Sequence, residues 1–189
     1  MPYALCPMLE TEEQIAELQA ILDRSFERAG VHTLSIIRPE RRLNARQLVK
    51  YLEGMKHIVV GTVTSKGEPR VAPVDGHFLR GRFYFGTDGR AFRIRHLRRN
   101  PAISACHMVA APRGAGQEVV AGAEELGIVV HGRAVLFGRA DAEGEELRAH
   151  YTRYYGSDPY SWGAAAIAWV RIDPEIMTTF AQDPSKYPE

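Results

Sequence analysis

The stretch His57–Met108, HIVVGTVTSKGEPRVAPVDGHFLRGRFYFGTDGRAFRIRHLRRNPAISACHM, decides the fold. Three runs rich in β-branched and aromatic residues are separated by turn signals. Ser65-Lys66-Gly67-Glu68 predicts a hairpin turn, with Gly67 free to take positive φ. Arg80-Gly81-Arg82 predicts a second tight turn. Strands are expected over 58–64, 69–79 and 83–86, a helix over 90–99, and a fourth strand over 103–109 after Asn100-Pro101. Pro69 and Pro73 give no ladder N–H, so the second strand belongs at an edge or bulge, where backbone groups stay open to a ligand.

Outward from that stretch, Thr11 with Gln14 at the capping-box position predicts a helix ending at Gly30, with Ile15, Leu18, Ile21, Leu22 and Phe26 on one face. That stripe has to cover the chain's own barrel or a partner subunit. Residues 31–42 are read as a connector, and Asn44 as the cap of a helix over 45–54. The Gly- and Ala-rich segment 110–125 predicts a long loop with a mobile tip. A strand over 126–138, a helix over 142–155 and a last strand over 164–172 follow. Asp173-Pro174 is expected to end that strand and to leave 175–189 on the surface.

Hairpin-connected strands with a few added helices predict a mainly β (α+β) fold, an antiparallel split β-barrel with flanking helices and an N-terminal helical extension. The expected division is an arm at 1–44, a barrel at 45–175 and a tail at 176–189.

The chain has 189 residues, 45% of them apolar and 25% charged, with a net charge of +1. A near-neutral chain has no large single-sign field to attract nucleic acid or a membrane surface, so neither is an expected partner. Two cysteines, Cys6 and Cys106, are too few for a disulfide framework. Acidic residues from Glu10 onward interrupt any signal-peptide pattern, so the expected location is cytoplasmic.

The chemistry is concentrated in GTDGRAFRIRHLRRNP, residues 86–101. Thr87 offers a hydroxyl. The helix that follows points unsatisfied N–H groups and the positive end of its dipole back toward the turn. Arg90 and Arg93 fall at that positive end, where two cations make sense if a phosphate lies between them. Arg95, Arg98 and Arg99 are read as a solvated face. No nucleophile constellation and no metal-ligand spacing stands out. His77 and His107, on predicted strands, are candidates to face the site as proton donors. Tyr151, Tyr154, Tyr155, Tyr160 and Trp162 form an aromatic cluster expected to pack.

With Gly67-Glu68-Pro69, Arg70-Val71-Ala72-Pro73, Thr87, Arg93, Leu97, Asn100-Pro101, GRAVLFG at 132–138 and VRIDPE at 170–175, the chain resembles the pyridoxamine-5′-phosphate-oxidase-like, FMN-binding split-barrel superfamily over about residues 45–175. The resemblance implies that Thr87 and Arg93 hold the flavin phosphate. It implies that Arg70, Val71, Ala72, Pro73 and Val74 line the flavin, largely through backbone. It further implies a homodimer with cofactor sites between subunits, Arg171 near the partner's site, and flavin-mediated hydride transfer to or from a small molecule. Use of the deazaflavin coenzyme, whose acidic tail would suit Arg95, Arg98 and Arg99, is the alternative within enzymes. A non-catalytic flavin- or haem-binding module is the alternative outside them. Arg93 stands where Lys is more usual, Ala91 where Ser is frequent, and Asp75 where the true B6 oxidases carry lysine. Those departures argue against pyridoxamine phosphate as substrate.

Overall fold

A computed structural model describes residues 10–112, 114–116, 124–163 and 166–189. The first nine residues of the expected arm and the tip of the 110–125 loop lie outside them. Six antiparallel strands close a barrel in the order β1-β2-β3-β6-β5-β4. They are β1 (Met55–Val63), β2 (Pro69–Leu79), β3 (Arg82–Asp88), β4 (Ala102–Val109), β5 (Leu126–Phe137) and β6 (Ile167–Ala181). Five helices flank them: α1 (Glu12–Glu27), α2 (Val31–Ile36), α3 (Ala45–Tyr51), α4 (Phe92–Arg99) and α5 (Ala142–Tyr155). No described helix is long and apolar enough to cross a membrane.

Alternation along the strands fills the barrel. Ile58, Val60, Phe83, Phe85, Ile128, Val130, Val170 and Ile172 are all buried in one core. The opposite faces of β3 and β6 carry Tyr84 and Trp169, which join Phe137 and α5's Leu147 and Tyr151 in a second, outer core. Of the predicted aromatic cluster, Tyr151 enters this core, while Tyr155 and Trp162 remain exposed. The predicted hairpins form, with Gly67 at φ 81° and Arg80-Gly81 both at positive φ.

The N-terminal helix settles against its own chain. Thr11 and Gln14 make the capping box, and Ile15, Leu18, Leu22 and Phe26 are buried. Leu18 lies beside Gly81, and Ser25 Oγ accepts the Met177 N–H at 2.9 Å. Asn44 and Gln47 cap α3 in the same way. The connector 31–42 contains the short helix α2, which buries no side chain.

One expectation about the chain's end is overturned. β6 does not stop at Asp173-Pro174; it runs to Ala181. A bulge between His131 and Gly132 sits opposite that pair, which is where a residue without an N–H can enter a ladder. A Cβ on Gly132 would lie 2.0 Å from the Asp173 carbonyl oxygen, so only glycine admits the bend. Beyond it, Met177, Thr179 and Ala181 are buried rather than exposed. The Thr179 hydroxyl bonds to both the N–H and the carbonyl of Leu43.

The barrel is unevenly stitched. β2 pairs with β1 from Pro69 to His77, but with β3 only from Gly76 to Leu79. Residues 69–75 therefore have a strand on one side alone, the edge that Pro69 and Pro73 called for. β1 meets β4 only over Val59–Gly61. α4 lies beside this opening and sends Ile94 and Leu97 into the core.

Candidate functional site

The open edge of β2 and the helix α4 form the two walls of a cleft of about 550 Å³. Val60, Thr62 and Thr64 of β1 and its turn form the floor, Arg70, Val71 and Ala72 one wall, and Ala91, Phe92, Arg93 and His96 the other. Four of the residues read from sequence thus meet: Arg70, Val71, Ala72 and Arg93. Four others stand outside the lining. Pro73 is exposed opposite Val59. The Val74 side chain is buried against the barrel core. Thr87 ends the face of β3 that carries Phe83 and Phe85, paired with Ala168. Arg171 lies elsewhere, and Glu143 of α5 and Asp173 take its guanidinium at 2.6–2.9 Å.

Arg93 dominates the cleft electrically. No carboxylate pairs with it among the described residues, and burial alone pushes its guanidinium down from its ordinary value. An arginine keeps its charge in a protein, so a half-buried one with no counter-charge has lost hydration without gaining an ion partner. Its place in the first turn of α4 adds to the cost, because that end of the helix already carries partial positive charge. The α4 N-cap is Ala91, which makes no side-chain cap bond, whereas α1 and α3 both have capping boxes.

Arg90 does not join it. The expectation of two cations flanking one anion is corrected here: Arg90 precedes the helix and forks onto Asp88 at 2.8 and 3.1 Å. The Arg90 N–H also bonds to Asp88. These bonds hold the Asp88 carboxyl down at about 2. Asp88 thus supplies the counter-charge for Arg90 and leaves Arg93 alone. Arg70 is exposed and salt-bridged to Glu68 at 2.7 Å.

The histidines redistribute. His77 lies under α5, between Tyr155 Oη and His150 Nε2, each at 3.1 Å. His107 has Tyr51 Oη on one ring nitrogen and the His57 carbonyl on the other, both at 2.9 Å. Neither lines the cleft, and neither has a ring nitrogen to spare as a ligand. His96 does line it, with its Nδ1 3.0 Å from Thr62 Oγ1. Sequence reasoning passed over His96. The available signal was its spacing of three from Arg93, which puts both on one helical face.

A larger cleft of about 600 Å³ lies on the other side of α4, with Ile94, Leu136, Phe137, Ile167, Arg98 and Arg139 among its walls. Its two arginines are exposed and hydrated, so nothing there demands a counter-charge. Arg95 stacks on Phe92, 4.5 Å from the ring centroid, and lines neither cleft.

No protein-family profile matches the chain, and no curated protein matches it in sequence. Solved structures do. A conserved hypothetical protein of Mycobacterium tuberculosis, Rv2991, superposes with a TM-score of 0.63 at 14% identity, over 81% of this chain and 94% of its own. The fold is the pyridoxamine-5′-phosphate-oxidase-like split barrel. A putative 5-nitroimidazole antibiotic resistance protein of Bacteroides thetaiotaomicron matches with a TM-score of 0.53 at 16% identity, over 72% of this chain and 82% of its own. HutZ, the haem storage protein of Vibrio cholerae, matches with a TM-score of 0.51 at 16% identity, over 65% and 84%.

Proposed function

We propose that the chain is an FMN-binding split-barrel oxidoreductase that works as a homodimer on a small molecule. The observation that carries this is Arg93: a half-buried cation without a counter-charge among the described residues, at a helix start without a side-chain cap, beside an open strand edge. A phosphate answers the first two features. A flat heterocycle with donors and acceptors along its rim answers the third, since alternate N–H and C=O groups of residues 70–74 point away from β1. The residues present therefore fit a flavin mononucleotide. FMN, when bound, supplies the hydride chemistry. The chain's part is to anchor the phosphate through Arg93, orient the ring against the β2 edge, and exclude water with Val71, Ala72 and Phe92. A haem reading gains nothing from His77 or His107, whose ring nitrogens are already engaged. A deazaflavin tail would need Arg95, Arg98 and Arg99 to act together, and of the three only Arg98 lines either cleft beside α4.

The second copy enters through exposed apolar surface. Val71 is 73% exposed, Met108 68% and Val59 46%, and the register puts all three on the outer face of β2-β1-β4. Val71 also lines the cleft, so a partner seated on that face would close the cofactor site. Light scattering tests this: the wild type is expected to be dimeric, and Val71→Asp monomeric with weakened FMN binding. A monomeric wild type that binds FMN fully would remove the dimer from the reading.

Titration with FMN, followed by quenching of flavin fluorescence, tests the site itself. Arg93→Ala is expected to weaken binding by about 1.5–3 kcal/mol, the scale of a hydrogen bond to a charged group. A wild-type protein that takes up no flavin would overturn the function.

A further inference from the structure

The larger cleft on the other side of α4 has no part in the flavin site. Its volume of about 600 Å³ falls in the range of small-molecule sites, roughly 300–1,000 Å³. Its walls are mostly aliphatic: Ile94 from α4, Leu136 from β5, and Ile167 and Ala168 from β6, with the Phe137 ring beside them. Leu136, Ile167 and Ala168 are only partly buried, so a ligand can still remove apolar surface from water there. Three donors stand around this apolar lining. Arg98, in the last turn of α4, and Arg139, two residues past the end of β5, line the cleft and make no ion pair among the described residues. Arg139 is held in place all the same. Its guanidinium lies 5.2 Å from the centroid of the Tyr160 ring. The same ring has Arg148 at 5.3 Å, itself fixed by Asp158 at 2.6 Å.

The third donor is the Tyr160 hydroxyl. The buried Trp169 indole donates to it at 3.1 Å, and an indole N–H can only donate. The phenol oxygen is therefore the acceptor in that bond, and its own proton is left for another partner. No described residue takes that proton, and Tyr160 is itself a wall of the cleft. Among the lining residues the acid is Asp141, whose carboxylate accepts the Gly138 N–H at 2.8 Å. Two cations thus face one anion that is already engaged. No cation here is stranded as Arg93 is, so apolar area supplies the affinity and the donors select the head group. Planar guanidinium forks match the two oxygens of a carboxylate. We infer that this cleft is a ligand site for an aliphatic carboxylate, with Arg98, Arg139 and the Tyr160 hydroxyl receiving the head. The site does not depend on the flavin: Ile94 lines one cleft and Arg93 the other.

The test is calorimetric titration of the full chain with octanoate, butyrate and 1-octanol, with ¹H–¹⁵N shifts to place the ligand. Octanoate is expected to bind with a negative heat-capacity change. Butyrate, with half the carbons, is expected to bind about tenfold more weakly or worse. 1-Octanol keeps the chain and lacks the charge, and is expected to lose about tenfold or more, one charge-assisted hydrogen bond's worth. Shifts are expected at Gly89, Gly138, Arg139 and Ile167, and not at Val59, Val71 or Met108. A Cβ on Gly138 would meet nothing within 4 Å, and its φ is not positive, so Gly138→Leu adds a side chain at the wall without backbone strain. That variant is expected to melt like the wild type and to lose octanoate by about tenfold or more. Arg98→Gln combined with Arg139→Gln is expected to bring octanoate down to the level of 1-octanol and to leave 1-octanol unchanged. Should Gly138→Leu fail to fold, this double variant, altered only at exposed positions, decides the matter. The site is overturned if octanoate does not bind, binds no better than 1-octanol, binds the folded Gly138→Leu or the double variant in full, or shifts the exposed β2-β1-β4 face instead.

Discussion

The two flanks of this barrel treat their charged groups differently. Under α5, Arg171 and the polar groups beside it are answered from the same chain, although the buried Tyr151 hydroxyl has no hydrogen-bond partner among the described residues. Arg171 is held by Glu143 and Asp173, Tyr84 donates to Glu143 at 2.9 Å, and His77 is bonded through both ring nitrogens. Under α4 the wall is left open. Among the described residues Arg93 has no acid partner, the helix has no side-chain cap, and half of β2 has no second neighbour. A satisfied buried charge mainly specifies structure, whereas an unsatisfied one stores a demand for a ligand. The contrast therefore assigns scaffold to one flank and binding to the other.

The sharpest way to break that contrast is to remove one arginine from each side. Arg171→Ala leaves Glu143 without its cation, held only by the Tyr84 hydroxyl, and Asp173 with Arg82 alone. It is expected to cost about 2–3 kcal/mol of stability, between the exposed and the buried extremes for ion pairs. FMN affinity in the folded variant is expected to stay at the wild-type level. Arg93→Ala is expected to reverse the pattern, with flavin affinity lost and the urea midpoint unchanged or raised. Equal loss of flavin from both variants would return Arg171 to the cofactor site, where the family resemblance had placed it.

The next effect is a pH dependence confined to the closed flank. Burial, and then the neighbouring His150, push His77 down to about 3, and burial also lowers His150. The unfolded chain binds a proton on each near the ordinary histidine value, while the folded chain does not. Stability is thus fully present above about pH 6.5 and is lost as pH falls toward 3, with about 2 kcal/mol gone by pH 5 for His77 alone. The carboxylates held low elsewhere, such as Asp88 and Asp158, lose their contribution only in more acid solution. Urea midpoints at pH 7 and pH 5 are expected to differ by that amount in the wild type and by much less in His77→Phe. An unchanged slope in the variant would mean that His77 is hydrated and that the flank is not closed.

The same division marks what could be read from sequence. Local devices were legible because the partners sit within a turn of one another: Thr11 with Gln14, Asn44 with Gln47, Gly67 in its hairpin. The edge character of β2 was legible too, since Pro69 and Pro73 forbid a full ladder. The run of β6 past Pro174 was not, because the register shift that permits it depends on Gly132, a distant residue on another strand that leaves room for the Asp173 carbonyl. The ion partner of Arg171 was not legible for a similar reason: Glu143 lies on a helix that only the folded barrel brings alongside. Arg90 could have been separated from Arg93, since Asp88 two residues earlier is a ready local partner.

The smallest expected effect is the most pointed, because it would make the open flank resemble the closed one. Ala91 sits at the α4 N-cap with φ −56° and ψ 142°, backbone values that a capping side chain accepts. Ala91→Asp can bond the free first-turn N–H groups and place a negative charge against the helix dipole and Arg93. In the flavin-free protein it is expected to add about 0.5–1 kcal/mol of stability, the usual worth of a cap. The same carboxylate would occupy the donors that a phosphate needs and would repel it. FMN affinity is therefore expected to fall while riboflavin affinity holds. Ala91→Ser, a cap without the charge, is expected to keep the stability gain and spare FMN, since a hydroxyl can turn to donate to the phosphate. If Asp and Ser at this position affect FMN alike, the start of α4 is not where the phosphate binds, and the unpaired state of Arg93 needs another explanation.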